Sequence, residues 1–245
     1  LIKVALIGDV HANLPALEAV LAHARGQGID AIWNTGDFVG YGAFPDPVVR
    51  RLWHEKALSI VGNYDLKVLK FKDKRHKWRN SKHPLKFQAF CWAYEQLTKK
   101  SRQYLRSLPW EKRFEAGGKR ILLTHGSPVS DKEPLTPNTP QARLLELAQI
   151  AQVDVILCGH SHQPFARDVH DVWFINAGSV GRPDDGDPRT GYAVMDLAAD
   201  YLQITHHRLE YDVERAVAEI RGCGLPEAFA QMTLQGRPLG QVLDE

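Results

Sequence analysis

Cysteine is scarce in this sequence: Cys91, Cys158 and Cys223 are the only three in 245 residues, widely spaced and without a Cys-x-x-Cys pair. An odd number so placed resembles no disulfide framework, and a reducing cytoplasm is the expected compartment. Long apolar runs are missing too. The opening stretch Ile2–Ile7 is about six residues, shorter than the core of a signal peptide and far shorter than a membrane span, so neither export nor a membrane partner is expected. Repeats and low-complexity tracts are likewise absent. What remains, 44% hydrophobic and 24% charged residues, suits one globular domain over 1–245 with a continuous core.

Charge of one sign is lacking overall but not locally. Between Lys67 and Lys86 nine Lys or Arg face one acid, Asp73, an excess of +8 that leaves the rest of the chain at −6 given the total of +2. Such a segment steers an anionic substrate, a nucleotide or a nucleic acid, or is simply a solvated helix face. It is expected to lie in a basic helical lid or insertion at about 66–108. Oligomeric state is not legible.

Hydrophobic periodicity supplies the architecture. Ile2–Ile7 reads as a buried strand, and Asn13–Gly28 as a helix with Leu17, Val20, Leu21 and Ala24 on one face and Pro15 in its first turn. Strand Ala31–Thr35, a helix opened by Asp46-Pro47 and strand Leu58–Val61 continue the alternation, which implies a parallel sheet. A helical region from Leu85 to about Leu108 follows, then strand Arg120–Thr124, a helix near Thr139–Ile150 and strand Val153–Leu157. Val172–Ile175, Tyr192–Leu197 and Tyr201–Leu209 are expected as antiparallel strands and Asp212 as the start of a closing helix. The fold class expected is α/β, two packed sheets with helices outside.

Five short polar clusters each follow a strand: Gly8-Asp9-Val10-His11, Gly36-Asp37, Gly62-Asn63-Tyr64-Asp65, Thr124-His125-Gly126 and Gly159-His160-Ser161-His162. In α/β sheets the ligand crevice lies beyond the carboxyl ends of the strands, so segments distant in sequence converge there. One such cluster is explained equally well by helix capping or a satisfied histidine. Five, with glycines beside them, point to a site. Carboxylates, imidazoles and an amide oxygen without thiolate suit Mn²⁺, Fe²⁺, Zn²⁺ or Ni²⁺, and the imidazoles argue against a Mg²⁺-only site.

The motif order Asp-x-His, Gly-Asp-x-x-Gly, Gly-Asn-x-Asp, His, Gly-His-x-His resembles the calcineurin-like metallophosphoesterase superfamily over nearly the whole chain. Asn176-Ala177-Gly178-Ser179 is similar to a segment of its small prokaryotic phosphodiesterase branch, with Ala177 in place of proline; a role in shaping the rim of the site is expected. The resemblance implies a four-layer αββα sandwich of two mixed sheets. It implies one divalent ion at Asp9, His11, Asp37 and His162 and a second at Asp37, Asn63, His125 and His160. It also implies phosphoesterase, more narrowly phosphodiesterase, activity through a hydroxide held between the two ions, with Asp37, Asn63 and His125 at the chemistry. A carboxylate has two oxygens and can hold two cations, and a water between them has its pKa lowered from about 15.7 towards about 7.

One position departs from the family pattern: Tyr64 stands where a proton-donating histidine is usual. A phenol of pKa about 10 is poorly matched to proton donation at neutrality, so Tyr64 is expected to orient substrate or shield the site, and diesters with good leaving groups are favoured over alkyl monoesters. Asp65 is placed to orient a histidine at that position, and His76 and His83 are remote substitutes for the acid. Two rival readings are a nuclease or nucleotide phosphodiesterase using Lys67–Lys86, marked by strong salt dependence, and a metal-binding interaction scaffold of the same fold, marked by absence of turnover.

Overall fold

The computed structural model of the chain describes residues 1–244. Strand and helix alternate at first: β1 (Ile2–Ile7), α1 (Leu14–Gly26), β2 (Ala31–Asn34), α2 (Pro45–His54) and β3 (Leu58–Ser59). Asn13 starts α1 by accepting the Ala16 N–H at 3.2 Å, and Pro15 removes an amide that would have no helical partner anyway. β1 pairs parallel with β2, and β2 with β3, so three strand ends finish side by side.

Four helices follow: α3 (Asn63–Leu69), α4 (Phe71–Ser81), α5 (Pro84–Gln96) and α6 (Lys99–Ser107). The helical region expected from Leu85 is therefore two helices. They part at Leu97 and Thr98, which are extended, and Thr98 Oγ1 accepts the Ser101 N–H at 3.2 Å to begin α6. The basic stretch runs from the end of α3 into the start of α5 and centres on α4, which is held inward by Phe71 and Trp78 while Lys72, Lys74, Arg75 and Lys77 face solvent.

The remaining elements are β4 (Glu111–Ala116), β5 (Lys119–Thr124), α7 (Gln141–Ala151), β6 (Val155–Cys158), β7 (Phe165–Val169), β8 (Val172–Asn176), β9 (Thr190–Ala198), β10 (Tyr201–Leu209), α8 (Val213–Gly222), α9 (Glu227–Gln235) and α10 (Leu239–Leu243). Two mixed five-stranded sheets result, ordered β10-β9-β1-β2-β3 and β4-β5-β6-β8-β7. β8 runs parallel to β6, contrary to the antiparallel expectation, while β9 and β10 form a hairpin whose β9 lies antiparallel against β1. Burial is the reason: β9 is apolar on both faces and takes an interior place, whereas the half-exposed β10 takes the edge.

Period-two alternation sorts the layers. Val4 and Leu6 of β1 meet Ile121, Leu123, Val155 and Leu157 between the sheets. Ala5 and Ile7 point the other way, onto Leu17 and Val20 of α1 and Val48 and Leu52 of α2. On the far side of the second sheet Leu122 and Ile156 meet Leu144 and Leu147 of α7. The order helix, sheet, sheet, helix is the αββα sandwich, in which each fully buried Leu or Ile contributes about 1.5–3 kcal/mol. Among the described residues no helix is long and apolar enough to cross a membrane.

Candidate metal centre

The polar clusters do converge. Asp9 and His11 follow β1, Asp37 follows β2, Asn63 opens α3, His125 follows β5, and His160 and His162 follow β6. All are buried except the half-buried His160. Asp9, His11, Asp37, His160 and His162 hold left-handed backbone, with φ of 52°, 47°, 55°, 67° and 58°. That conformation costs a non-glycine residue roughly 1–2 kcal/mol, and its concentration at one place marks a site whose geometry outranks local comfort. The loops are laced together: the Asp9 N–H donates to Gly36 O and the His11 N–H to Asp37 O, both at 3.0 Å, and the Gly159 N–H donates to His125 O at 2.9 Å. Gly62 is obligatory here because a Cβ would collide with the Asp37 backbone nitrogen and carboxylate.

Ligand atoms of Asp9, His11 and His162 lie within 4.8 Å of one another, and so do those of Asp9, Asp37 and His125. Asp37 Oδ2 is 3.8 Å from His11 Nε2 and 3.5 Å from His125 Nε2, so this carboxylate also spans both halves. His160 and Asn63 stand beside them, Asn63 Nδ2 being 2.7 Å from His160 Nδ1. Two Nδ1 atoms are hydrogen-bonded, His125 Nδ1 at 2.9 Å from Thr35 O and His11 Nδ1 at 3.3 Å from Val39 O, while His162 Nδ1 makes a charge contact with Asp184 Oδ2 at 3.0 Å without hydrogen-bond geometry. Each anchor turns the matching Nε2 towards the carboxylates, as in histidines that bind metals. Asp37 Oδ1 accepts the Tyr64 N–H at 2.7 Å and Asp9 Oδ2 the His160 N–H at 3.0 Å, leaving one oxygen of each for the centre.

These residues fit a divalent metal centre. Asp9 Oδ1 and His125 Nε2 are buried and make no hydrogen bond of sound geometry among the described residues, although His162 and Asp37 lie 3.4 and 3.5 Å away. His11 Nε2 and His162 Nε2 face each other at 3.1 Å, a contact of two lone pairs unless one nitrogen carries a proton or both face a cation. Burial tends to lower His125 and His162, but Asp37 and Asp9 outweigh it and raise them to about 10 and about 9. Burial pushes His11 down to about 3 against the pull of Asp37. Burial likewise tends to raise Asp9 and Asp37, yet the imidazoles beside them bring both below the usual carboxylate range. Without metal, protons supply the positive charge that this pocket demands.

The sequence pattern of the calcineurin-like phosphoesterase superfamily domain matches residues 2–200, a stretch that contains every convergent ligand. The chain belongs to this superfamily. An uncharacterised protein of Methanocaldococcus jannaschii is 31% identical over 96% of this chain and 98% of its own length. The crystal structure of a metallophosphoesterase from Sphaerobacter thermophilus matches with a TM-score of 0.75 at 32% identity, covering 96% of this chain and 99% of that one. Phosphodiesterase YfcE of Escherichia coli is 24% identical over 80% of this chain and 88% of its own.

Against the calcineurin-like pattern, Tyr64 has a distinct environment. Its hydroxyl is 2.5 Å from that of Tyr41, its ring packs edge-on to His11 at 5.3 Å, and Lys67 Nζ lies 4.4 Å above it. Burial, then the neighbouring Tyr41, push the phenol far above its usual value. Asp65 is not available to orient a side chain at position 64: it accepts the Gly62 N–H at 3.0 Å and the Val39 N–H at 3.1 Å, capping α3 from inside. His76 is exposed on α4, and His83 lines a cavity with Tyr64. The Asn176 segment does more than border the site. Asn176 Nδ2 donates to Gly159 O at 2.8 Å, and Ser179 Oγ to Asp9 O at 2.8 Å, so it ties the first and last ligand loops together from beneath. Sequence reasoning missed Tyr41, Arg182 and the anchoring role of Asp184. Only Asp184 left a signal, in the acid-rich turn after Gly181.

Proposed function

We propose that the protein is a phosphodiesterase that works with two divalent transition ions, Mn²⁺ best among Mn²⁺, Fe²⁺, Zn²⁺ and Ni²⁺. The observation that carries this reading is the set of strained, buried ligand residues with unpartnered atoms facing one centre. Asp9, His11, Asp37 and His162 would hold one ion, and Asp37, Asn63, His125 and His160 the other. When bound, such a pair supplies Lewis acidity towards phosphoryl oxygens and a water of lowered pKa as the nucleophile. Thr35 and Val39 hold the rings of His125 and His11 in the tautomers this requires, and Asp184 places its carboxylate against His162 Nδ1. Tyr64 keeps its proton, engaged with Tyr41, and shields His11 from solvent. The leaving alcohol therefore departs with little protonation from this side chain, which favours diesters of acidic alcohols over alkyl monoesters.

A panel of mono-, di- and cyclic esters, assayed on metal-stripped and metal-loaded protein, tests the proposal. Diester turnover only in the loaded protein is expected, and metal binding without turnover of any ester would favour an interaction scaffold. The nuclease reading is favoured by the exposed cationic face of α4. Its mark is polynucleotide binding that falls steeply with salt.

A further inference from the structure

Beside the metal centre lies a cavity of about 260 Å³. Its inner wall is Tyr41, Tyr64 and Arg182, the same side chains that pack on the centre: Tyr64 against His11, and Arg182 through Asp184, which Arg182 meets at 2.8 Å and which in turn meets His162. The outer wall is His83 and Lys86 at the start of α5, together with Leu239 and Leu243 of α10. α10 lies outside the 2–200 stretch matched by the superfamily pattern. The volume falls below the roughly 300–1,000 Å³ that enclose a whole drug-sized ligand, so the cavity takes one part of a substrate.

Its electrostatics are lopsided. α5 has no acid in its first turn and instead places Lys86 there, where the helix dipole disfavours a cation. Lys67 Nζ stands 4.4 Å over the ring of Tyr64 on the inner wall, and Lys82 precedes His83 of the outer wall. Lys67 bonds Asn63 Oδ1 at 2.9 Å and Lys82 sits over Trp78, and among the described residues none of the three lysines has a carboxylate within salt-bridge distance. Arg182 by contrast is neutralised by Asp184. Lys86, free of any salt bridge among the described residues, on the wall of a cavity that is otherwise largely aromatic and aliphatic describes a receptor for a flat group that ends in an anion.

We propose that this cavity binds the alcohol side of the ester, and that the alcohol is a ring-sized group carrying its own phosphate-like dianion, recognised by Lys86. The position of the scissile phosphoryl group rests on the phosphodiesterase reading; the charge and size of the subsite do not. Two tests separate them. Methyl aryl phosphodiesters whose leaving phenol bears either a methyl or a phosphonomethyl group are compared on the Mn²⁺-loaded full chain. Separately, binding of (4-hydroxyphenyl)methylphosphonate is measured by calorimetry. Preference for the phosphonomethyl ester by about tenfold or more in kcat/KM is expected, together with an approximately tenfold loss of that preference, and of phosphonate affinity, in Lys86→Gln. Lys86→Glu should reverse the preference. Phosphonate binding that depends on Lys86 without turnover of either ester upholds the subsite and rejects the phosphodiesterase reading. Turnover of both esters at equal rates, or phosphonate binding indifferent to Lys86, overturns the subsite.

Discussion

Adding metal to the stripped protein should expel about two protons per chain. His162 and His125 are raised to about 9 and about 10, held there by Asp9 and Asp37 despite burial. At pH 7.5 groups with those values are roughly 97% and over 99% protonated, whereas His11, lowered to about 3, has no proton to give. Ligation requires neutral imidazole, so each captured Nε2 releases its proton. Calorimetric titration with Mn²⁺ in buffers of different ionisation enthalpy gives the count as the slope of apparent heat against buffer heat. The same values set a stability window. Both are raised above the unfolded value of 6.5, so their contribution is complete below about pH 6.5 and is lost as pH rises through about 9 and about 10; for His162 alone it amounts to about 3 kcal/mol. Metal-free protein should therefore lose thermal stability across that window. Release of fewer than about half a proton, with a flat stability profile from pH 7 to 10, would refute the reading of the centre as a cation site filled by protons.

Asp37→Asn should cost more activity than Asn63→Ala, and more than the roughly 10- to 100-fold typical of losing one supporting partner, because Asp37 faces both His11 and His125; equal, mild losses would remove it from the bridge. Tyr64→Phe should leave turnover of good leaving groups within about threefold. Tyr64→His should help poor leaving groups more than good ones, by less than the 10²- to 10⁴-fold of a fully effective general acid, since Asp65 is already occupied by backbone amides. A leaving-group series on the three proteins checks both, and a Tyr64→Phe loss as large as that of a ligand variant would assign the phenol a chemical role. Gly62→Ala should destabilise by about 1–3 kcal/mol and weaken metal binding, because the new methyl must displace Asp37; urea midpoints and metal titration measure the two effects.

Much of the fold was legible because interior strands of a two-sheet core are apolar on both faces, and β1, β2, β5 and β6 read as such. The candidate ligands were legible because each lies in a short polar cluster that contains a glycine and follows a strand, Asn63 after β3 and the others after β1, β2, β5 and β6. Two of the four edge strands were not: β4 alternates charge with apolar residues, and β7 is short and half-exposed. The parallel pairing of β8 with β6 is a tertiary choice that local pattern does not encode. The break between α5 and α6 at Leu97 and Thr98 was masked by the continuous apolar spacing from Phe87 to Leu97. Tyr41 and Arg182 gave no signal, since a lone aromatic and a lone arginine acquire meaning only when the chain brings them beside Tyr64 and Asp184.

The central claim is that the converging aspartates, histidines and asparagine bind two metal ions and that diester hydrolysis depends on them. Metal-stripped protein titrated with Mn²⁺, with bound metal and turnover of an activated aryl phosphodiester followed together, tests it most directly. Activity should be absent in the stripped protein and reach its plateau as occupancy approaches two ions per chain, with Mg²⁺ restoring less. Full activity without metal, or two bound ions without turnover of any phosphodiester, would contradict it.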